Sequence, residues 1–103
     1  MDEQGGKGRD LGSQRLDFQS LGGLQRLAES LEKRVIITIE KGDRAEEGNA
    51  YGDLGNIYFS RNDFRKAIEY KEKHLEIAIE IGDQAGEGQA YGILGVAYFS
   101  LGD

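Results

Sequence analysis

The sequence predicts an all-α fold in which antiparallel helical hairpins stack into an elongated array. Three observations lead to this prediction. Residues 41–63 recur forty positions later at 81–103, with 14 identities in 23 positions. Between residues 24 and 39, and again between 64 and 79, apolar residues recur mainly at intervals of three and four, the spacing of one helical face. Proline, which interrupts helices, is absent. A repeat of this length indicates supersecondary units that bury apolar surface against their neighbours.

The first clear helix is predicted over residues 24–41. Its segment "VIITIE" resembles a strand because it is rich in β-branched residues. Forty positions later the counterpart "LEIAIE" has a helical pattern, and one repeat should have one conformation. A helix over about 11–21, with Gly12 and Ser20 matching Gly52 and Ser60, would complete a degenerate first unit at 11–43. Residues 1–10 are expected to be a disordered N-terminal segment.

Three further helices are predicted at 44–60, 64–81 and 84–101. Gly42 and Gly82 suit the left-handed conformation that ends a helix. Asp43, Asp63 and Asp83 are placed to cap the helices that follow them. The resulting units are a second repeat at 44–83 and the first helix of a truncated third repeat at 84–103.

Glycines inside the predicted helices require an explanation, because each costs about 1 kcal/mol relative to alanine. They form two pairs spaced four residues apart, Gly48 with Gly52 and Gly88 with Gly92. Each pair predicts a flat stripe where a neighbouring helix approaches closely. Burial of Tyr51, Leu54 and Tyr58, at roughly 1.5–3 kcal/mol per large side chain, would outweigh the cost. A phosphate-binding glycine loop would need a preceding strand and a lysine, and the sequence has neither there.

Charge and cysteine content exclude several classes of function. The net charge is −6, and no lysine or arginine follows Lys73, so neither nucleic acid nor an anionic membrane is an expected partner. No apolar run approaches the roughly 20 residues of a membrane span, and the N-terminus does not resemble a secretory signal. The absence of cysteine excludes disulfides and thiolate sites, and is typical of a cytoplasmic protein.

The spacing Tyr51-x-x-Leu54-Gly55-x-x-Tyr58 resembles the tetratricopeptide repeat, as does Ala67 twelve residues after Gly55. The motif recurs as Tyr91, Leu94, Gly95 and Tyr98. The forty-residue period is similar to the branch that contains the polarity adaptors related to Partner of Inscuteable and the tetratricopeptide repeat protein 28 type arrays. This resemblance implies a right-handed superhelix of helical hairpins, here about two and a half repeats. Three features depart from the family pattern. Lys71 replaces an aromatic residue or histidine, the usual proline after the second helix is missing, and the third unit stops at Asp103, before its second helix.

The resemblance also implies a concave groove, lined by the first helix of each unit, that binds a peptide. The matching positions are Asn49, Gly52, Asn56, Phe59 and Ser60, and then Gln89, Gly92, Val96, Phe99 and Ser100. Asn56 could donate and accept hydrogen bonds with a peptide backbone, or be an ordinary solvated residue. The arginines that polarity adaptors often carry at the Asn49 and Gln89 positions are missing, which argues against acidic ligands.

The function predicted from this reading is a non-enzymatic protein–protein interaction scaffold or adaptor. The sequence offers no catalytic residue, cofactor site or metal site. His74 is the only histidine and is expected to have a packing or surface role. Acidic clusters such as Glu69, Glu72 and Glu76 lack a partner for metal binding or acid–base catalysis.

An alternative is that the chain is a structural fragment of a longer array, or a truncated product, without a ligand of its own. A half-built third unit would expose Tyr91, Leu94, Tyr98 and Leu101. Repeat folds need about three units to bury their cores. On this alternative, the chain would either form homo-oligomers through its exposed C-terminal helix or be marginally stable.

Overall fold

A computed structural model describes residues 21–102, which form four α-helices. They are α1 (Leu21–Lys41), α2 (Arg44–Ser60), α3 (Phe64–Ile81) and α4 (Gln84–Leu101). No strand occurs within residues 21–102, so the helical interpretation of "VIITIE" and the all-α repeat class are confirmed. The predicted bounds of α2, α3 and α4 are correct, whereas α1 begins at Leu21 rather than residue 24. The predictions for residues 1–10 and 11–20 lie outside the described residues.

Aspartate caps and left-handed residues set the helix boundaries. The side chains of Asp43, Asp63 and Asp83 accept hydrogen bonds from the backbone N–H three residues later, at 3.1, 3.3 and 3.0 Å. Such bonds satisfy amides at the helix start that have no partner within the helix. Gly42 and Gly82 have φ of 71° and 75°. Asn62, with φ of 63°, takes the equivalent place between α2 and α3. The short turns therefore reverse the chain and make consecutive helices antiparallel.

The helices pack in sequence order, and α2 also contacts α4 directly. The main core lies between α1, α2 and the start of α3; its buried residues are Ala28, Val35, Ala50, Leu54, Ile57, Tyr58 and Ala67. Leu54 is completely buried and Tyr58 is 6% exposed, as predicted. Tyr51, which was predicted to be buried, is only half-buried.

The Tyr70 ring of α3 stacks between two tyrosines of α2. Its centroid lies 6.1 Å from that of Tyr51 and 5.7 Å from that of Tyr58. The Tyr70 hydroxyl donates to Glu32 of α1 at 3.2 Å. Partial burial, followed by the nearby Glu32 carboxylate, raises the pKa of Tyr70 to about 12. One side chain thus joins α1, α2 and α3.

Glycines allow α2 to approach α3 closely. A Cβ added at Gly48 would lie 2.8 Å from Ile77 Cγ2, and one at Gly52 would lie 2.8 Å from His74 Nδ1. A Cβ at Gly55 would meet Lys71 Cγ at 2.7 Å. In α4 the equivalent positions are Gly88, Gly92 and Gly95, and no described atom of another helix lies within 4 Å of a Cβ there. The predicted close approach of a neighbouring helix is therefore present at the α2 glycines, whereas no described helix lies against the α4 glycines.

The exposure of α4 differs at two residues from that expected for a half-built third unit. Tyr91 is 54% exposed and Tyr98 is 38% exposed, as expected for a helix with one open side. Leu94 was predicted to be exposed as well, but it is buried at 7% exposure. The prediction for Leu94 is wrong because that residue shares a face with Ala90 and Ala97, which are also buried. Leu101 is half-buried.

Two ionisable side chains of α3 are buried against the α2 glycines. Lys71 is fully buried, and among the described residues its Nζ has no hydrogen-bond partner. Burial lowers the pKa of Lys71, although the Asp53 carboxylate opposes the effect. His74 is 5% exposed, and its Nδ1 likewise lacks a partner. Burial and then the Lys71 charge lower the pKa of His74. His74 thus occupies a packing position, one of the two roles predicted for it.

The contrast between the occupied and open glycines predicts opposite effects for one substitution at equivalent positions. Gly88→Ala should raise the free energy of unfolding by up to about 1 kcal/mol, because alanine favours helix and the site is open. Gly48→Ala should lower it by about 1–2 kcal/mol, because the new methyl group overlaps the stiff β-branched Ile77. Urea unfolding of dilute protein, followed by circular dichroism, measures both. Equal changes for the two variants would contradict the assignment.

Replacement of Lys71 by methionine should stabilise the fold. Met is unbranched and apolar, so Lys71→Met removes a buried, unpaired ammonium with little change of shape. We expect a gain of about 1–3 kcal/mol at pH 7. The folded pKa of Lys71 is lowered from 10.5, so the penalty is present in full below the folded pKa. The parent chain should gain stability as pH rises towards 10.5, and Lys71→Met should lack this gain. Lys33→Met, at an exposed lysine of α1, is the matched control.

His74 should make the fold sensitive to mild acid. Its folded pKa lies below 6.5, so the unfolded state binds a proton first as pH falls through 6.5. Stability should therefore be unaffected by His74 above that pH and decrease below it, by at most about 1.4 kcal/mol per pH unit. Thermal melts at pH 7.5 and 5.5 of the parent and of His74→Gln check this. A parallel decrease in both proteins would assign the effect to other groups.

Candidate functional site

Four exposed side chains stand at equivalent positions on α2 and α4, and we call this set the α2–α4 strip: Asn49, Asn56, Gln89 and Val96. Asn49 and Asn56 are seven residues apart and therefore lie on one helical face, as do Gln89 and Val96. All four residues are exposed. Because α2 and α4 run in the same direction and contact each other, their equivalent faces lie side by side. Ser60 and Ser100 are also exposed and extend the strip at its C-terminal end.

The two phenylalanines predicted for the groove have different environments. The Phe59 ring is half-buried, packs against the core and meets the Phe64 ring edge-on at 5.6 Å. Phe99, its equivalent in α4, is 83% exposed. Each lies three residues beyond a member of the strip, so it borders the strip on the side of the glycines. The Phe59 ring is therefore held in place by packing at the border of the strip, whereas the Phe99 ring is an apolar surface in contact with solvent.

Gly52 does not share this surface. It was predicted to line the groove, but it is buried beneath His74 of α3. Its side of α2 faces the partner helix in the hairpin, and its missing side chain serves helix packing. Gly92 has the same position in α4 but is exposed. The structure thus leaves Asn49, Asn56, Gln89 and Val96 exposed and buries Gly52 against α3.

The charges around the strip are acidic. Asp53 lies one turn after Asn49 and is exposed, and α4 has no basic residue. Arg44, at the start of α2, is engaged elsewhere: it donates to Glu80 at 2.7 and 3.1 Å and to Glu47 at 3.1 Å. Its hydrogen bonds lower the pKa of the Glu80 carboxyl group. A ligand at the strip would therefore meet amides, an apolar patch and negative charge.

Two open depressions lie away from the strip. One of about 510 Å³ lies along α1 and the start of α2, where Arg34 and Glu46 form an ion pair at 3.4 Å. The other, of about 310 Å³, surrounds Tyr70 between α1, α2 and α3. Sequence reasoning missed the α1 surface, although the exposed Ile37 has a buried counterpart in Ile77, forty residues later.

Across residues 21–102 the structure shows no cluster of three or more histidine, aspartate or glutamate side chains arranged to hold a metal ion. None of the four described helices combines the length and hydropathy required to cross a membrane. The His74 imidazole is enclosed by packing between the helices. The strip is the candidate site because it carries Asn49, Asn56, Gln89 and Val96, four of the residues predicted for the groove.

Comparison with known proteins agrees with this architecture. A family model of the tetratricopeptide repeat matches residues 46–103, more than half of the chain. The G-protein-signaling modulator 1 proteins of Mus musculus and Rattus norvegicus are each 42% identical to this chain over 44 residues. That match covers 43% of this chain and 6% of each relative, so it concerns a small part of those proteins. The resemblance predicted from the spacing of Tyr51, Leu54 and Gly55 is confirmed, and the chain belongs to the tetratricopeptide repeat family.

Proposed function

We propose that the chain is a non-enzymatic, cytoplasmic interaction module that binds a peptide segment of a partner protein on the α2–α4 strip. Tetratricopeptide repeats generally mediate protein–protein interaction, and this supports the class of function. The observation that carries the proposal is the exposure of Asn49, Asn56, Gln89 and Val96 in register on two adjacent parallel helices. Such a surface is long and narrow, as an extended or helical peptide requires.

Asn56 is the central residue of the proposed site. Its amide can donate to a peptide carbonyl and accept from a peptide N–H at the same time. The helix that carries it is fixed by the packing of Leu54, Ile57 and Tyr58 into the core. A rigid helix holds the amide in place before the peptide arrives, which lowers the entropic cost of binding. Val96 would supply an apolar contact beside it.

Charge favours a neutral or basic peptide. Asp53 borders the strip, and no lysine or arginine follows Lys73 in the sequence. An acidic peptide would approach like charge, whereas lysine or arginine in the ligand would gain a partner in Asp53. This preference also accords with the absence of arginine at the Asn49 and Gln89 positions.

Selection from a displayed library of random peptides tests the proposal. We expect enriched sequences that contain lysine or arginine with apolar residues, and whose binding weakens as salt concentration rises. Asn56→Ala should weaken a selected peptide about five- to tenfold, the equivalent of one net hydrogen bond of about 1 kcal/mol. Asp53→Asn should reduce the salt dependence. Fluorescence anisotropy with the labelled peptide measures both.

Glu76→Ala is the matched control, because Glu76 is exposed on α3 away from the strip. It should leave the affinity unchanged. Circular dichroism checks that each variant keeps its helices. Selected peptides that lose affinity with Glu76→Ala, but not with Asn56→Ala, would place the site elsewhere and overturn the proposal.

A further inference from the structure

The open side of α4 repeats a surface that is occupied in α2. Gly88, Gly92 and Gly95 stand forty residues after the three α2 glycines that lie against α3. Tyr91, at 54% exposure, and Phe99, at 83%, border the same side. Their α2 equivalents, Tyr51 and Phe59, pack on Tyr70 and Phe64 of α3. The packing of α3 on α2 therefore indicates what kind of helix would cover α4.

Helix α1 has the register of that missing partner. Ile77, His74 and Lys71 of α3 face the α2 glycines. Forty residues earlier, α1 carries Ile37, Arg34 and Leu31 at these positions. Ile37 is 52% exposed, Arg34 is exposed and Leu31 is half-buried. Helix α4 thus presents a surface like that of α2, and α1 presents a surface like that of α3.

We propose that two copies of this chain stack head to tail, with α1 of a second copy packed against α4 of the first. In the register of α3 on α2, Ile37 of the second copy lies against Gly88. Arg34 then lies against Gly92, and Leu31 against Gly95. The last pair is an apolar version of a contact that in α2–α3 is made by a buried lysine, Lys71.

Charge complementarity supports this pairing. In the α2–α3 hairpin, Lys73 Nζ lies 5.5 Å from the centroid of the Tyr51 ring. The equivalent residues across two copies are Lys33 and Tyr91, so the same cation–π contact can form. The α1 face also contributes Arg26 and Arg34, whereas α4 carries Glu87 and no basic residue. Helix α1, whose net charge is +1, would therefore meet an aromatic helix whose net charge is −1.

The competing occupant of the α1 face is the chain's own segment 8–20, which stands forty residues before 48–60. Its sequence keeps Gly8 and Gly12, the counterparts of Gly48 and Gly52, but departs from α2 at three other positions. Arg15 replaces the glycine found at Gly55 and Gly95. Gln14 and Asp17 replace Leu54 and Ile57, two residues that α2 buries in the core. Helix α4 keeps all three glycines and is the better match for α1.

Stacking of this kind is heterologous and does not close on itself, since each copy uses different surfaces at its two ends. It should give a concentration-dependent series of species rather than a dimer of fixed size. The contact involves one helix from each copy, so the interface is small and the association should be weak.

Cysteine cross-linking tests the register, and the parent chain has no cysteine to interfere. In α2–α3, the Cβ position of Gly48 lies 3.4 Å from Ile77 Cβ, close to the roughly 3.8 Å of a disulfide. Gly88→Cys and Ile37→Cys chains, tagged to differ in mass, are therefore mixed under mild oxidation. We expect the mixed disulfide to form at least about tenfold faster than with Ile36→Cys, whose side chain points about 100° away on α1. Ile36 is 59% exposed, which makes it a matched control.

Sedimentation velocity on the unmodified chain, from micromolar to near-millimolar concentration, provides a measurement independent of the variants. The weight-average mass should rise continuously, and circular dichroism should show that each cysteine variant keeps its helices. Three results would overturn the proposal. The first is that Ile36→Cys and Ile37→Cys cross-link to Gly88→Cys at equal rates. The second is that the chain's own N-terminal segment protects Ile37→Cys from reaction. The third is that the mass stays that of the monomer at every concentration. None of these measurements alters the α2–α4 strip, so peptide binding succeeds or fails separately.

Discussion

The close approach of α2 to α3 is the constraint on which the other packing contacts depend. Three glycines let the two backbones come together, and the side chains of Ile77, His74 and Lys71 fill the space that a Cβ would occupy. With the helices at this distance, Tyr70 reaches between Tyr51 and Tyr58. The same approach turns Asn49 and Asn56 towards solvent, because the opposite side of α2 is taken by the core. The glycines cost helix propensity, and the burial that they permit offsets that cost.

The α2–α3 hairpin buries polar groups where its two helices are closest together. Lys71 and His74 contribute methylenes and an imidazole ring that pack against glycine, while Lys71 Nζ and His74 Nδ1 find no hydrogen-bond partner among the described residues. An apolar side chain would fill the same space without the cost of burying a charge, and Leu31 in α1 stands at the position equivalent to Lys71. The second repeat therefore has lower stability than its shape allows, and burial of ionisable groups makes that stability depend on pH.

The helices could be predicted well from the sequence because interactions between residues close in sequence set their boundaries. Asp43, Asp63 and Asp83 cap within one turn, and the repeat resolved the strand-like "VIITIE" by comparison. The contacts between helices were harder to predict. Leu94 is buried because α4 docks through its Ala90 side, and Gly52 is buried because of a histidine twenty-two residues away. A helical pattern fixes which residues share a face, whereas only the packed structure shows which neighbour covers it.

The two surfaces of α4 have different chemistry and lie on different sides of the helix. Gln89 and Val96 extend the strip beside α2, while Gly88 and Gly92 lie on the side that an additional helix would cover. Stacking and peptide binding can therefore occur together. If α1 of a second copy covers the glycines of α4, the α2 of that copy takes the next place in the row of parallel helices. Its Asn49 and Asn56 would then continue the strip across the junction. A longer strip would bind a longer peptide at several points, and the gain in affinity would depend on protein concentration.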